Sequence, residues 1–259
     1  MSSTPKIWKI EDFTLGRILG RGANGSVYHA THKESKKEFA IKVISRTSIS
    51  KHTVKYIRRE IEFHSRIRHP NIIRLYGYFY NEKNLYILLE YMGGGDLHSY
   101  IKRNSPINQI TAKNILYSIA KALEYLSTLK IIHRDLKPEN VLISNNLDVK
   151  IADFGLCALE PPKEKRYSCV GTLQFMSPEM AGLNGYDCSN DLWDLGLIMY
   201  EVLCGEAIVY ITNINQIITL EGFEPPNNWN EHEKDLFRKL TSRKNRISVF
   251  DVAKHPFFV

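Results

Sequence analysis

The sequence predicts an α+β fold of two unequal lobes, a small β-rich one carrying one main helix and a larger, mostly helical one. Three observations predict it. Short apolar-polar alternations crowd residues 13–90, the run Gly93-Gly94-Gly95 interrupts the chain, and beyond it apolar residues recur three or four apart. The first spacing belongs to strands, the last to helices, and a glycine run is a natural joint. The boundary is therefore set after residue 92: residues 1–92 form the small lobe and its hinge, and residues 93–259 the large lobe of the same domain.

Phe13 to Leu19 reads as a strand running into a glycine turn, and Ser26 to Ala30 and Phe39 to Ile44 follow as strands. In the last of these Ala40 and Lys42 share a face. Lys51 to Arg68 has helical period, with Ile57, Glu60, Ile61 and His64 on one stripe, and His69-Pro70-Asn71 stops it. Ile72 to Tyr80 and Leu85 to Glu90 read as a hairpin of two more strands. Past the glycine run, Ile115, Ile119, Leu123 and Leu126 mark a long helix, and Leu192 to Leu203 is apolar almost throughout, as in a helix buried on all sides. Glu231 to Leu240 and Val249 to Lys254 read as two shorter helices.

With 259 residues, 43% of them hydrophobic, the chain can bury a substantial core. No apolar stretch approaches the length of a membrane span, and Met1-Ser2-Ser3-Thr4-Pro5 lacks the apolar core of a secretion leader. Cys157, Cys169, Cys188 and Cys204 have no metal-ligand spacing, so free thiols in a reducing compartment are expected. The net charge of +7 is dispersed, without the aromatic-interleaved basic strip of a single-strand binder; direct nucleic-acid binding is not expected.

Gly20-Arg21-Gly22-Ala23-Asn24-Gly25-Ser26-Val27 fits G-x-G-x-x-G-x-V, a string whose missing side chains let backbone approach phosphate. Alone it equally suits a structural hairpin. It is not a Walker loop, since no G-K-[ST] follows, and flanking strands disfavour a dinucleotide fold. Lys42 on the next strand gives it meaning: a cation under the loop can meet phosphate oxygens and pair with Glu60, whose place on an apolar stripe is costly without a partner.

His133-Arg134-Asp135-Leu136-Lys137-Pro138-Glu139-Asn140, with Asp153-Phe154-Gly155 shortly after, supplies what phosphoryl transfer requires. Asp135 is expected to orient a hydroxyl and accept its proton late, Lys137 to neutralise the moving phosphoryl, and Asn140 and Asp153 to ligate a divalent metal. His133 is expected to pack and bond backbone rather than act as a base.

From Phe13 to Phe258 the chain resembles eukaryotic serine/threonine protein kinases, and among them the Aurora kinases: Trp8-Lys9-Ile10-Glu11-Asp12-Phe13, Arg74-Leu75-Tyr76-Gly77-Tyr78-Phe79, Lys150-Ile151-Ala152-Asp153-Phe154-Gly155 and Gly171-Thr172-Leu173 carry the likeness. The resemblance implies the bilobal protein kinase fold, ATP and Mg2+. It implies an ATP site of Gly20, Gly22, Gly25, Val27, Ala40, Lys42, Glu60, Leu89, Glu90, Met92, Leu142 and Asp153, with Lys42, Asp135, Lys137 and Asn140 serving the chemistry and Asn140 and Asp153 the metal. His133, Phe154, His64 and Leu75 would stack as a regulatory spine, with the polar His64 either inside the stack or capping it from solvent.

By the same resemblance Ser168 is an activation-loop phosphosite whose phosphate would gather Arg134 and Arg59. Arg166, two residues before it, makes Ser168 itself a basic-type target, so self-phosphorylation in trans is expected. Asp96, Glu139 and Glu201 match positions that hold substrate arginine, implying an R-x-[S/T] preference; Glu139 and Glu201 can also serve as local support. Glu179 is expected to pair with Arg246, and Asp191 to hold the catalytic-loop backbone. The implied partners are protein substrates with basic residues before Ser or Thr, and an inner-centromere-type or spindle-targeting activator on the small lobe near the Glu60 helix. The implied setting is nucleus and cytoskeleton during chromosome segregation.

The chain departs from the family in Ser177-Pro178-Glu179, in Glu206-Ala207-Ile208-Val209-Tyr210 where a Pro-Pro-Phe run is usual, in a trimmed loop before Arg246 and in a short N-terminal extension, from which localisation through a partner is expected. A polo-like or calcium/calmodulin-type kinase is the nearest alternative, and a pseudokinase scaffold the alternative of another class.

Overall fold

Five strands, β1 (Phe13–Gly22), β2 (Gly25–His32), β3 (Glu38–Ser45), β4 (Leu75–Tyr80) and β5 (Asn84–Glu90), form an antiparallel sheet in the order β1-β2-β3-β5-β4, with helix α1 (Lys51–Arg66) between β3 and β4. The computed structural model describes residues 8–22, 25–48, 51–161, 165–208 and 213–259, and excludes the side chains of residues 51–53, 55, 56 and 59 of α1. Strand alternation divides the sheet residues between two faces. Phe13, Phe39, Ile41, Phe79, Tyr86 and Leu88 fill one apolar cluster, against which Trp8 packs. Ile44, Leu75 and Ile87 meet Ile57 of α1 in another. Val27 pairs with Lys42, Ala40 with Leu89 and Leu89 with Leu75, so these five residues share the second face.

Strand β1 runs on through Gly20 to Gly22 rather than turning after Leu19, and two boundaries of the small lobe are set by contacts with the large one. Helix α1 stops at Arg66 rather than Arg68: the Ile67 N–H bonds back to the His64 carbonyl, and Ile67 turns into the core of the large lobe, 2% exposed. Strand β4 starts at Leu75 rather than Ile72. Ile72 and Ile73 pair instead with β9 (Val149–Ile151): the Ile73 N–H donates to Ile151 O and the Ile151 N–H to Asn71 O, both at 2.9 Å. The stretch after Pro70 thus stitches the small lobe to the large one.

The large lobe begins with β6 (Gly95–Asp96) and α2 (Leu97–Asn104), whose N-cap is Asp96. Then come α3 (Gln109–Thr128), β7 (Ile131–Ile132), β8 (Val141–Ile143), β9, β10 (Ala158–Leu159), α4 (Pro178–Ala181), α5 (Asn190–Cys204), α6 (Ile214–Ile218), α7 (Glu231–Thr241) and α8 (Val249–Val252). Strands β6-β8-β9 and β10-β7 form two small sheets that sequence periodicity had not marked, because two or three residues carry no readable period. Helix α5 is buried from Asn190 to Met199 and packs on α3 and α7, as its apolar run predicts. Helix α8 ends at Val252, two residues short of expectation, where Lys254 and His255 bond back in tight turns before Pro256. Among the described residues no helix is long and apolar enough to cross a membrane.

Candidate active site

Lys42 projects from β3 toward α1, where its Nζ donates to both carboxylate oxygens of Glu60 at 2.7 and 2.9 Å and stands 4.0 Å from Asp153 Oδ1. Glu60 is 4% exposed. Burial works against the Lys42 ammonium, but the Glu60 and Asp153 carboxylates outweigh it and its pKa rises above the ordinary lysine value. Burial also opposes Asp153 ionisation, yet Lys42 and the Gly155 N–H hold that carboxyl below its usual range. Both groups are therefore charged at neutral pH, a cation for phosphate oxygens beside a carboxylate for a divalent metal.

The His133–Asn140 loop is held from beneath. Asp191, 2% exposed at the start of α5, accepts the His133 N–H at 2.7 Å and the Arg134 N–H at 3.0 Å. Above this anchor, Asp135 Oδ1 accepts the Thr172 hydroxyl at 2.7 Å, and Lys137 Nζ donates to Thr172 Oγ1 at 2.6 Å and lies 3.1 Å from Asp135 Oδ2. The Asn140 amide nitrogen donates to Asp135 O at 2.7 Å and Oδ2 at 3.1 Å. In the sequence Thr172 stands only within a family string; its contact with the Asp135 carboxylate, 37 residues away in the chain, has no local signature. Ala152 joins the two clusters: its N–H donates to Asn140 O at 2.8 Å and its carbonyl accepts His133 Nε2–H at 3.1 Å. His133 is wholly buried and bonds backbone, as expected.

The donors fit a magnesium-bound triphosphate. With its nitrogen spent on Asp135, Asn140 has its amide oxygen left for a cation. Asp153 offers a half-exposed carboxylate. Among the described residues no group of three or more His, Cys, Asp or Glu could hold a metal alone, so the ion would need phosphate oxygens to complete its shell, the ordinary situation for Mg2+.

Gly20 and Gly22 lie on β1 and Gly25 opens β2, opposite Gly22. A Cβ on Gly25, at φ +151°, would stand 2.2 Å from Val43 O, so only glycine lets this hairpin lie so close to β3. Leu89, Glu90 and Met92 lie at the end of β5 and the hinge. Glu90 is braced by Lys150 Nζ at 2.7 Å, and its N–H donates to Arg74 O. Leu142 sits on β8, paired with Asp96.

Three of the four residues expected to stack come together, while Leu75 packs with Ile44, Ile57 and Ile87. The Phe154 ring, wholly buried, is 4.6 Å from His64 and 5.2 Å from His133. His64 is 2% exposed and donates Nε2–H to Ile73 O, so it lies within the stack rather than capping it from solvent. Exposed Ser168 accepts from Arg134 Nη1 at 2.8 Å, and the buried Tyr186 hydroxyl donates to Ser168 O at 2.8 Å. The Arg59 side chain lies outside the described residues. Arg246 pairs with Glu179 through both terminal guanidinium nitrogens, as expected. The altered segment after Gly205 is described only to Ile208.

The three carboxylates expected to meet arginine differ in state. Asp96 caps α2, Glu201 is 6% exposed and bonded to His98, and Glu139 is exposed with no hydrogen bond or ion pair to a described residue.

A family model for the protein kinase domain matches residues 13–258. The Aurora kinase of Saccharomyces cerevisiae is 37% identical over 98% of this chain and 71% of its own length. Aurora kinase A-A of Xenopus laevis is 37% identical over 98% of this chain and 64% of its length. Aurora kinase C of Mus musculus is 37% identical over 99% of this chain and 95% of its length.

Proposed function

This chain belongs to the protein kinase family, and within it to the Aurora serine/threonine kinases; from that premise we propose that it transfers the γ-phosphoryl group of ATP to serine or threonine hydroxyls of proteins. The observation that carries the reading is the convergence of Lys42 on Glu60 and Asp153, joined through Ala152 to the Asp135–Lys137–Asn140 cluster.

In this reading Gly20, Gly22 and Gly25 cover the phosphates, Lys42 holds phosphate oxygens while Glu60 holds Lys42, and Val27, Ala40, Leu89 and Leu142 enclose adenine, whose edge meets backbone groups of Glu90 and Met92. Mg2+, when bound, neutralises phosphate charge, with Asn140 and Asp153 as its protein ligands. Asp135 orients the acceptor hydroxyl. As the acceptor oxygen bonds to phosphorus and the bond to the β,γ-bridging oxygen breaks, the hydroxyl proton passes to Asp135 and ADP leaves. Lys137 offsets charge on the moving phosphoryl. Thr172 already accepts from Lys137 and donates to Asp135, so it stands where an acceptor hydroxyl would be steered.

The lobe division after residue 92, phosphorylation of Ser168 in trans with Arg134 and Arg59 receiving the phosphate, and recognition of arginine before the acceptor by Asp96, Glu139 and Glu201 belong to the same reading. So do a mitotic role, an activator on the small lobe, and spindle or centromere localisation. A tagged chain that stays off spindle and chromosomes throughout division would contradict the mitotic part.

The enzymatic reading is tested with purified chain, Mg-ATP and an arginine-containing protein acceptor, measuring phosphate in serine and threonine. Asp135→Asn should lower the rate by about 10²–10⁴-fold. No transfer by the wild type, or equal transfer by the variant, would sink it.

A further inference from the structure

The carboxylates assigned to substrate arginine gather around the N-terminal end of α2, and the structure shows two of them already engaged. Asp96 accepts the Ser99 N–H at 2.7 Å and the Ser99 hydroxyl at 2.9 Å, one bond to each oxygen. Glu201, on α5, accepts from His98 Nδ1 at 2.9 Å. Its side chain is 8% exposed whereas that of His98 is 35% exposed, so the imidazole lies between the carboxylate and solvent. Helix α2 also packs on the Pro138–Asn140 turn that carries Glu139, the one carboxylate of the three with no partner among the described residues.

A guanidinium arriving at Glu201 would find Oε1 already bonded to His98 and a side chain only 8% exposed, so full access requires the ring to move and give up that acceptor. Exchanging one hydrogen bond to a carboxylate for another gains little, whereas an open carboxylate offers the whole charge-assisted contact. Asp96 faces a similar exchange, since a substrate arginine there competes with the cap of α2.

We propose that His98 is a specificity-determining residue: it shields Glu201, so that this kinase reads a single arginine through Glu139 and gains little from a second. The proposal rests on the arginine preference set out above and narrows it to peptides bearing one arginine before the acceptor. A neighbouring side chain sets the number of arginines read, although the carboxylates present would suit more.

The test compares kcat/KM for three peptides with none, one or two arginines before the same serine. Ratios between peptides are insensitive to the fraction of enzyme that is folded. The wild type should prefer one arginine to none, and a second should add less than about 2-fold. In His98→Ala the second arginine should add about 10-fold or more, the worth of a newly opened charged contact. That gain should vanish in His98→Ala with Glu201→Gln. His98→Gln, which keeps a donor beside Glu201, should behave as the wild type and so separate shielding from a general disturbance of α2.

A wild type that already gains about 10-fold from the second arginine, and loses it on Glu201→Gln, overturns the proposal. So does a His98→Ala variant with no added preference. A wild type indifferent to every arginine that acquires the preference in His98→Ala refutes the parent reading while supporting the shielding.

Discussion

His64 is an imidazole enclosed between Phe154 and the backbone at Ile73. Burial lowers its pKa from 6.5 to about 4, and the hydrogen bond to Ile73 O only partly opposes this. The folded state therefore holds the ring neutral. Both states are neutral above about pH 6.5; as pH falls below that value the unfolded chain takes up a proton that the folded chain refuses, until about pH 4. Stability contributed by this residue is complete above 6.5 and falls by about 3 kcal/mol across that window. His64→Leu, which has no proton to bind, should show a flatter decline in thermal stability between pH 7 and pH 4.5. Equal slopes for the two proteins would contradict the account. Helical spacing put His64 on the inward stripe of α1, but its acceptor at Ile73 depends on how the chain turns at Pro70, which no periodicity encodes.

Glu60 and His64 are one turn apart on α1, so a single helix position presents an anion to Lys42 and a ring to Phe154. The segment following Ser168 is placed by close approach instead. Gly171 has φ +102°, and a Cβ there would lie 2.5 Å from Arg134 O. Any side chain would push this segment, and Thr172 with it, away from Asp135. Gly171→Ala should therefore reduce kcat by about 10²-fold, since displacement near an ångström is enough, while the KM for ATP stays unchanged because the added Cβ would meet Arg134 and Asp135 rather than Lys42 or Glu60. Steady-state kinetics varying each substrate would distinguish this from a general loss of structure, in which both constants change. Strand β3 and helices α1 and α3 were readable because each repeats its period, and α5 because its apolar run is too long for a strand. The shift of β4 to Leu75 and the early stop of α1 were not, because each follows from a contact with the other lobe.

Across the molecule, buried polar groups tie distant segments together. Asp191 holds the His133–Arg134 backbone from α5, and Arg246 secures Glu179, 67 residues earlier, to the large lobe while its guanidinium lies 5.5 Å from the Trp193 ring. Arg134 gathers Leu156 O, the Ser168 hydroxyl and the Tyr186 hydroxyl. The uncharged Ser168 thus already touches the cation that a phosphate would neutralise, and phosphorylation would replace a hydrogen bond charged only on the arginine side by an ion pair charged on both. Wild-type enzyme preincubated with Mg-ATP should gain activity on peptide as Ser168 becomes modified. Ser168→Ala should keep its initial rate and gain nothing; full activity of the variant after preincubation would count against the role.

The glycine string from Gly20 to Gly25, the Lys42–Glu60 couple and the residues of the His133–Asn140 loop could be named from the chain alone, because each is a set of particular residues at short, fixed spacings or on one face of an element. Folding was needed to learn that Thr172 lies on Asp135, that His64 is bonded within its stack, and that Glu201 is already occupied by His98. Those pairings join residues far apart in the chain, and the availability of a carboxylate depends on which neighbour the packed core brings to it.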